Sequence, residues 1–550
     1  MVESSSTIWA PVGEQGPVGE QGPPGPPGPQ GPVGGPGPDA GTFTTFVADL
    51  LNNTDPTKGA AKVGSGIRTI QDIAQLKTVP GIYDEEVAYV RDYYSAYPGY
   101  GGDNFVWNAS STLAEDGGTV FQVTGVPVGR WFRRYKMLTF SSFGFIPAAS
   151  SALAIDRTAA FQKARDYLAA QLLPSAMFAE SGCYKYTTCP NMAIQNAQYY
   201  ALGDVFFENL GSGPTMLLDG QATPNGNIYS LKMEGFRGAG SSVSGHGVQV
   251  KSLHHSYVDF KVEGCGVAND AYHVQFAVVT EFKLKATKNG LPGNEWYKGA
   301  NAIEARPLNG FFGTELNPGE LLSYCTFINP ILEHCAAVGM RLDKAFGNGI
   351  FGGTFEGIGS VGLFLTANAF NNKFYNVDFE VNTDHDVYCL GRENFIIMCD
   401  TEKQITFDTG ASNNMVQGGA HQTIVMQPGT FGTKLHDLIY NRNATTGQLI
   451  DNSGGKVEYK SVTNRGTSDI QNAPRSFGTI AVGATPFTYA NTTWNEITVI
   501  VAGGTVTAIE YLRPGGFQNV GATDGMFTLS PGDSLKVSYT GLPTMRTLPR

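Results

Sequence analysis

From Leu231 to Asp408 the chain repeats one short pattern: an apolar residue, a glutamate, a small or polar turn, then an apolar–x–apolar run. It reads Met233-Glu234-Gly235 with Val248-Gln249-Val250, and Val262-Glu263-Gly264 with Val274-Gln275-Phe276. It returns as Leu332-Glu333-His334 with Met340-Arg341-Leu342, Phe355-Glu356-Gly357 with Leu363-Phe364-Leu365, and Phe379-Glu380-Val381 with Val387-Tyr388-Cys389. The last three glutamates recur at positions 333, 356 and 380. Self-similarity at a period of roughly 20–50 residues marks a solenoid, whose units bury their apolar faces only against one another. The units contain short period-2 runs broken by Gly and Asn, with no helical stripe between them. The expected fold is therefore all-β, a parallel β-helix with one coil per repeat. The long gap between Glu263 and Glu333 predicts two or three coils plus a loop around Gly290–Ala300.

Glycine, at 70 of 550 residues, is well above its usual share of about 7%, which suits a turn-rich solenoid. Acidic residues outnumber basic ones, 48 to 37, and no basic stripe interrupts them, so nucleic acid is an unsuitable partner. No apolar run approaches the ~20 residues of a membrane span. The Met1-Val2-Glu3-Ser4 start lacks the charged and apolar regions of a signal peptide. The seven cysteines have no CxxC pairing and read as buried, reduced apolar residues. Synthesis in a reducing cytoplasm without Sec export follows as the expectation. No spacing supports a zinc or calcium site, and no cofactor is expected.

Glycine occupies every third position from Gly13 to Gly37, with Pro-rich intervening positions such as Gly22-Pro23-Pro24-Gly25-Pro26-Pro27. A strict Gly-X-Y period predicts a collagen triple helix, because only Gly fits the axis of three polyproline II chains. Residues 13–39 then form a stalk of a homotrimer whose body must hold the strands together. Residues 1–12, with Ile8-Trp9, read as an attachment peptide for another protein.

Residues 43–135 change character and predict a small head domain, with short helices at Phe46–Leu51 and Ile70–Leu76. Its phrases are Asp55-Pro56-x-Lys58-Gly59-Ala60-Ala61, Gly102-x-x-Phe105-x-Trp107-x-Ala109-x-Ser111, Asp116-Gly117-Gly118-Thr119 and Gly129-Arg130-Trp131. They resemble the head module of tailed-bacteriophage tailspikes, a family that includes capsular polysaccharide depolymerases with a pectate-lyase-like β-helix, which implies a right-handed parallel β-helix here. The family's entry segment is matched by Asp156-x-Thr158-Ala159-Ala160-Phe161-Gln162-x-Ala164, whereas Phe143-Gly144-Phe145 departs from it at the family's Ala. Residues 156–173 predict an amphipathic cap helix with Phe161, Ala164, Tyr167 and Leu168 on one side. The β-helix is expected over residues 136–425, a linker or further β-structure over 426–469, and a β-sandwich-like domain over 470–550. Its closing phrase, Pro531-Gly532-Asp533-Ser534-x-Lys536-Val537-x-Tyr539, also resembles tailspike C-terminal modules, which serve trimerisation or sugar contact. The resemblance implies a virion tail protein that docks to a tail or baseplate protein through its N-terminus. It also implies binding, and usually cleavage, of a bacterial capsule or O-antigen. The family has no fixed catalytic motif to carry over.

Glycoside hydrolysis needs two carboxyl groups across the scissile bond. Outward residues two apart on a strand share a face, and neighbouring coils lie about 4.8 Å apart. With Phe355 and Phe379 inward, Glu356, Asp378 and Glu380 face outward together and are the candidate catalytic residues. Asp384 and Asp386 stand in reserve in the adjoining turn. Trp296, Tyr297, Tyr375 and His385 are candidate sugar contacts, and Trp296 and Tyr297 equally suit a subunit interface. The same apolar–Glu step recurs at Glu234, Glu263 and Glu333, so a repeated Glu equally suits turn amides or pairing with Lys and Arg. A lyase of the same fold would draw on Tyr375, Lys373, Arg341 or His385, and a non-enzymatic receptor-binding fibre would cleave nothing. The stalk sets a first prediction: the purified protein sediments as a trimer at micromolar concentration, and a monomer there contradicts this organisation.

Overall fold

The computed structural model describes residues 67–550, apart from Leu172 and residues 223–225, 241–244, 266–268, 287–307, 444–445, 466–477, 493–495, 514–515 and 550. The attachment peptide, the Gly-X-Y segment, the predicted helix at Phe46–Leu51 and the candidates Trp296 and Tyr297 lie outside the described residues.

The repeats form a parallel β-helix. Ile331–Glu333, Thr354–Glu356 and Asp378–Glu380 stack in parallel, with Leu332, Phe355 and Phe379 at equivalent positions. All three central side chains are buried, as the alternation required. Three stacks, represented by Gly349–Phe351, Thr354–Glu356 and Val361–Leu365, merge in one sheet of 27 strands, and six two-residue strands from Ile228–Tyr229 to Ala369–Phe370 form a fourth. Between Glu263 and Glu333 the register runs from Val262 to Ala286 to Leu332. That is two coil steps, with residues 287–307 in the second.

The coils turn at fixed corners, where one residue per coil adopts a left-handed backbone. Asn329, Gly352, Asn376, Met398 and Gly418 form one such column. Beside another corner, Asn348, Asn372, Asn394 and Asn414 stack in a buried ladder. The amides link side chain to side chain at 2.8, 3.0 and 3.2 Å. Each Oδ1 also accepts a backbone N–H from the preceding coil, as from Cys325, Asn348 and Asn372. Each Nδ2 donates to a backbone carbonyl, as Asn348 does to Leu322 and Asn372 to Ala345. Corner backbone that strand pairing leaves unmatched is thereby satisfied inside the core.

The N-terminal end is closed by aromatic packing. The helix Thr158–Ala169 buries Ala160, Phe161, Ala164 and Leu168, and Tyr167 packs beside them half-buried. Phe161 stacks on Phe145 at 4.5 Å and on Phe207 at 5.7 Å, so Phe145, where the family has Ala, fills the cap. Ahead of it, strands between Arg68 and Arg134 make a five-stranded sheet around Phe105, Trp107, Phe121 and Trp131. The sequence predicted one helix over Ile70–Leu76. Only Ile73–Leu76 is helical, begun by Asp72, whose carboxylate accepts from the Gln75 N–H at 2.9 Å. Ile70 instead pairs with Val90 in the sheet, in keeping with a β-branched residue's preference for strands. At the other end, strands from Gly478–Ile480 to Thr544–Pro549 form two four-stranded sheets around Val499, Val501, Ile509, Leu535 and Val537. All seven cysteines are buried and free.

Replacing one ladder amide should be severe. Asn372→Ala removes the acceptor of the Asn348 N–H and Nδ2 and the donor to Ala345 O. Each buried orphan costs ~1–3 kcal/mol, so the stability measured by denaturant unfolding should fall by about 3 kcal/mol. A loss below about 1 kcal/mol would deny the ladder a structural role.

Candidate active site

The register that buries Leu332, Phe355 and Phe379 points their neighbours outward. Glu356 lies between Glu333 and Glu380 on adjacent coils, and Asp378 lies between Thr354 and Asp400. The predicted trio Glu356, Asp378 and Glu380 therefore occupies one outward patch. The next coil extends it with Asp400 and Glu402, which sequence reasoning missed. Asp400-Thr401-Glu402 is the same phrase as Asp378-Phe379-Glu380, hidden because Thr401 stands where the repeat has phenylalanine. Thr401 is buried and meets His421 Nδ1 at 3.2 Å, a polar pair in place of stacked rings.

The earlier copies of the glutamate are ion-paired. Glu234 meets Lys232 at 2.6 Å, and Glu263 meets Arg237 at 3.0 Å and Lys261 at 2.6 Å. Among the described residues, Glu333, Glu356, Asp378, Glu380, Asp400 and Glu402 have no ion-pair partner. The consequence falls on Glu380. A hydrogen bond to Asp378 and that residue's charge, then partial burial, Glu356 and Glu402, raise its pKa above the ordinary glutamate range. Such crowding favours the protonated form of the carboxyl at its centre. The chain leaves this strand through Val381, whose φ of 52° is left-handed. A β-branched residue is rarely held there, and such strain concentrates at functional sites.

Past that corner lies a groove of about 590 Å³ lined by Ser360, Val361, Phe364, Thr383, Asp384, His385 and Tyr388. Ser360 Oγ donates to Asp384 at 2.7 Å. Burial lowers the pKa of His385 against the pull of Asp384, so the imidazole is neutral at pH 7. Tyr388 donates to Asp408, which pushes the phenol up to about 12. The hydroxyl is therefore protonated at neutral pH, with its hydrogen engaged by Asp408. A second groove, of about 340 Å³, runs along Asp384, Glu402, Lys403, Gln404 and Gln422, so Asp384 joins the two grooves and Glu402 joins them to the carboxylate patch.

Asp386 departs from expectation. It belongs to the strand His385–Cys389, not the turn, and is fully buried. Two consecutive residues, Asp386 and Val387, point inward there. Asp386 accepts from Asn382 Nδ2 at 2.8 Å and Lys403 N at 2.6 Å, and burial pushes its pKa up to about 6. It supports the corner and cannot reach a ligand outside. Tyr375 lies parallel to Phe351 with ring centres 5.0 Å apart, on the strand before the carboxylates and across a corner from them.

One cluster had no signal in sequence spacing. His246, Asp270 and His273 place ligand-type atoms within 4.8 Å of one another. Hydrogen bonds already engage them: His273 Nδ1 meets Asp270 at 2.8 Å, Asn309 Nδ2 donates to Asp270 at 2.6 Å, and the Asp270 N–H reaches His246 Nδ1 at 3.1 Å. The imidazoles stack 4.2 Å apart. Burial, then His273, depresses His246 to about 4.

Residues 69–136 match the model of the phage tail protein small four-stranded β-sheet domain. The chain carries a phage-tail module and has the fold of phage tailspikes. The tailspike gp42 of Acinetobacter phage vb_AbaP_AS12 is similar at 12% identity over 74% of this chain and 76% of that one, with a TM-score of 0.51. The tailspike of Acinetobacter baumannii phage AM24 is 12% identical over 87% and 92% of the two chains, with a TM-score of 0.44. Tailspike gp49 of Acinetobacter baumannii phage Fri1, a capsular polysaccharide depolymerase, is 15% identical over 87% and 97%, with a TM-score of 0.36. At these identities the likeness to solved tailspikes is one of fold. No curated protein matches the sequence.

The β-helix coil gives Glu380 a chemical signature. Carbodiimides attack protonated carboxyls, so mapping by mass spectrometry at pH 5.5 should label Glu380 several-fold more than the exposed Glu85. Asp378→Asn removes the largest cause of the raised pKa and should bring labelling down to the Glu85 level. Equal labelling in the wild-type protein would contradict the coupling.

Proposed function

We propose that this protein is the homotrimeric tailspike of a phage virion, binding a bacterial capsule or O-antigen and cleaving it by endo-glycosidic hydrolysis. The unpaired carboxylate row carries this reading. Carboxylates have no structural need to stack without counter-charges, whereas hydrolysis needs a protonated and an ionised carboxyl together. Glu380, whose pKa the neighbouring Asp378 raises, is the general acid that protonates the leaving oxygen. Glu356 or Asp378 acts on the anomeric carbon, directly or through water. The coil spacing of about 4.8 Å lies near the ~5–5.5 Å of a retaining pair. The grooves past the corner hold the chain on either side of the bond. The phage-tail module at 69–136 supports a place in the virion tail, with residues 1–12 docking to a tail or baseplate protein.

A lyase is the second reading, and one observation favours it. The neutral His385 faces the same groove as Tyr388 and is a competent base for the proton next to a uronate.

Digestion of purified capsule and O-antigen separates the readings. New reducing ends without ultraviolet absorbance, lowered ~10²–10⁴-fold in Glu380→Gln as expected for a general acid, mark the hydrolase. Because the acid must be protonated, activity should fall as pH rises through the raised Glu380 pKa. Absorbance of an unsaturated uronate, lost in His385→Ala, marks the lyase. Full activity in Glu380→Gln and Asp378→Asn would remove the reaction from this row. Binding without cleavage would leave a receptor-binding fibre.

A further inference from the structure

The wall that carries Tyr388 presents a second outward row. His273, Phe312, Arg341, Phe364 and Tyr388 occupy one register position on five successive coils. At about 4.8 Å per coil the row spans roughly 19 Å, the length of several sugar residues. Its members touch: His273 meets Phe312 edge-on at 5.3 Å, and Phe364 meets Tyr388 at 5.6 Å. Between them the Arg341 guanidinium lies 4.9 Å from the Phe312 ring and 5.6 Å from that of Phe364.

Arg341 is the chemically unfinished member. It makes no hydrogen bond or ion pair among the described residues, and its Nε is buried without a partner. A guanidinium carries five donors in a planar fork suited to a carboxylate, and a buried donor left unmet costs free energy. Packing between two rings holds the cation in place without neutralising it. The row then leads into the groove at Phe364 and Tyr388. The protein as a whole is acidic, with a formal charge of −11, which opposes a polyanion unless a specific cation receives it.

We infer that the His273–Tyr388 row is a glycan track and that Arg341 on it receives a carboxylate, so the polysaccharide bound is an acidic one bearing a uronate or similar sugar acid. The apolar faces of the sugars lie on Phe312 and Phe364, and the carboxylate completes the guanidinium in bidentate fashion. This rests on the polysaccharide-binding reading and narrows it to a substrate class.

The test uses the full-length protein in a Glu380→Gln background. A panel of purified bacterial capsules and O-antigens, acidic and neutral, is titrated by calorimetry. Each acidic member is also tested after chemical reduction of its carboxyl groups to alcohols. The expected ligand is acidic, and reduction should weaken it at least tenfold. Arg341→Gln should weaken the native form by a similar factor and leave the residual affinity for the reduced form within twofold. Arg341→Lys, which keeps charge without the planar fork, should fall between. Unchanged melting temperatures establish that the variants are folded, and a variant that fails to fold is replaced in the comparison by the reduced polysaccharide, which needs no mutation. Tight binding of a neutral polysaccharide, its cleavage by the wild-type protein, or equal affinity for native and reduced forms overturns the inference while leaving the tailspike reading intact. Absence of binding to any bacterial polysaccharide overturns both.

Discussion

The structure depends on coils that repeat in register. A one-residue slip between coils would turn Phe355 and Phe379 outward and bring their charged neighbours into the core. Hydrophobic burial resists that slip, but it is non-directional. The Asn348–Asn372–Asn394–Asn414 ladder adds direction. Each amide needs a specific partner on the next coil, and a displaced coil would strand several buried polar groups at once. Apolar packing drives the stack, and the amides fix its alignment.

That alignment also makes the candidate site. Burying phenylalanines above one another brings Glu356 beside Glu380 without any local preference for carboxylates to meet. Their repulsion is tolerated because the core beneath is already committed. The same repeat unit thus serves two ends. Where Lys232, Arg237 and Lys261 neighbour it, the glutamate is an ordinary ion pair. Where the following coils supply no cation, its pKa is raised by the carboxyls around it. The carboxylate row, the corner at Val381 and the groove at His385 follow one another along a single stretch of chain.

Much of this was legible in the sequence because period-2 alternation and a regular coil length determine which side chains face out. Glu356, Asp378 and Glu380 followed from Phe355 and Phe379 alone. Legibility failed where the alternation failed. Asp386 was misread because the strand turns two consecutive residues inward, as the coil before it does at Gly362 and Leu363, and Asn382 and Lys403 satisfy the buried carboxyl. Asp400 and Glu402 were missed because a buried Thr–His pair replaces the apolar marker. The row through Phe312 and Arg341 was invisible because an insertion separates His273 from Phe312 in sequence, and adjacency there belongs to the register and not to the spacing. Ile70 entered a sheet because its partner, Val90, lies far along the chain.

The ladder of buried amides also governs how such a protein can change over generations. Adding one residue inside a strand breaks every amide contact and reverses every side chain beyond it. Adding a whole coil breaks none, and extra length at a corner leaves the stack untouched; Ala286 and Leu332, 46 positions apart in the chain, still pair in register. Lineages of this fold should therefore differ by complete coils and by corner loops, with strand lengths nearly frozen. Surface specificity can then be rewritten rung by rung while the interior keeps its count.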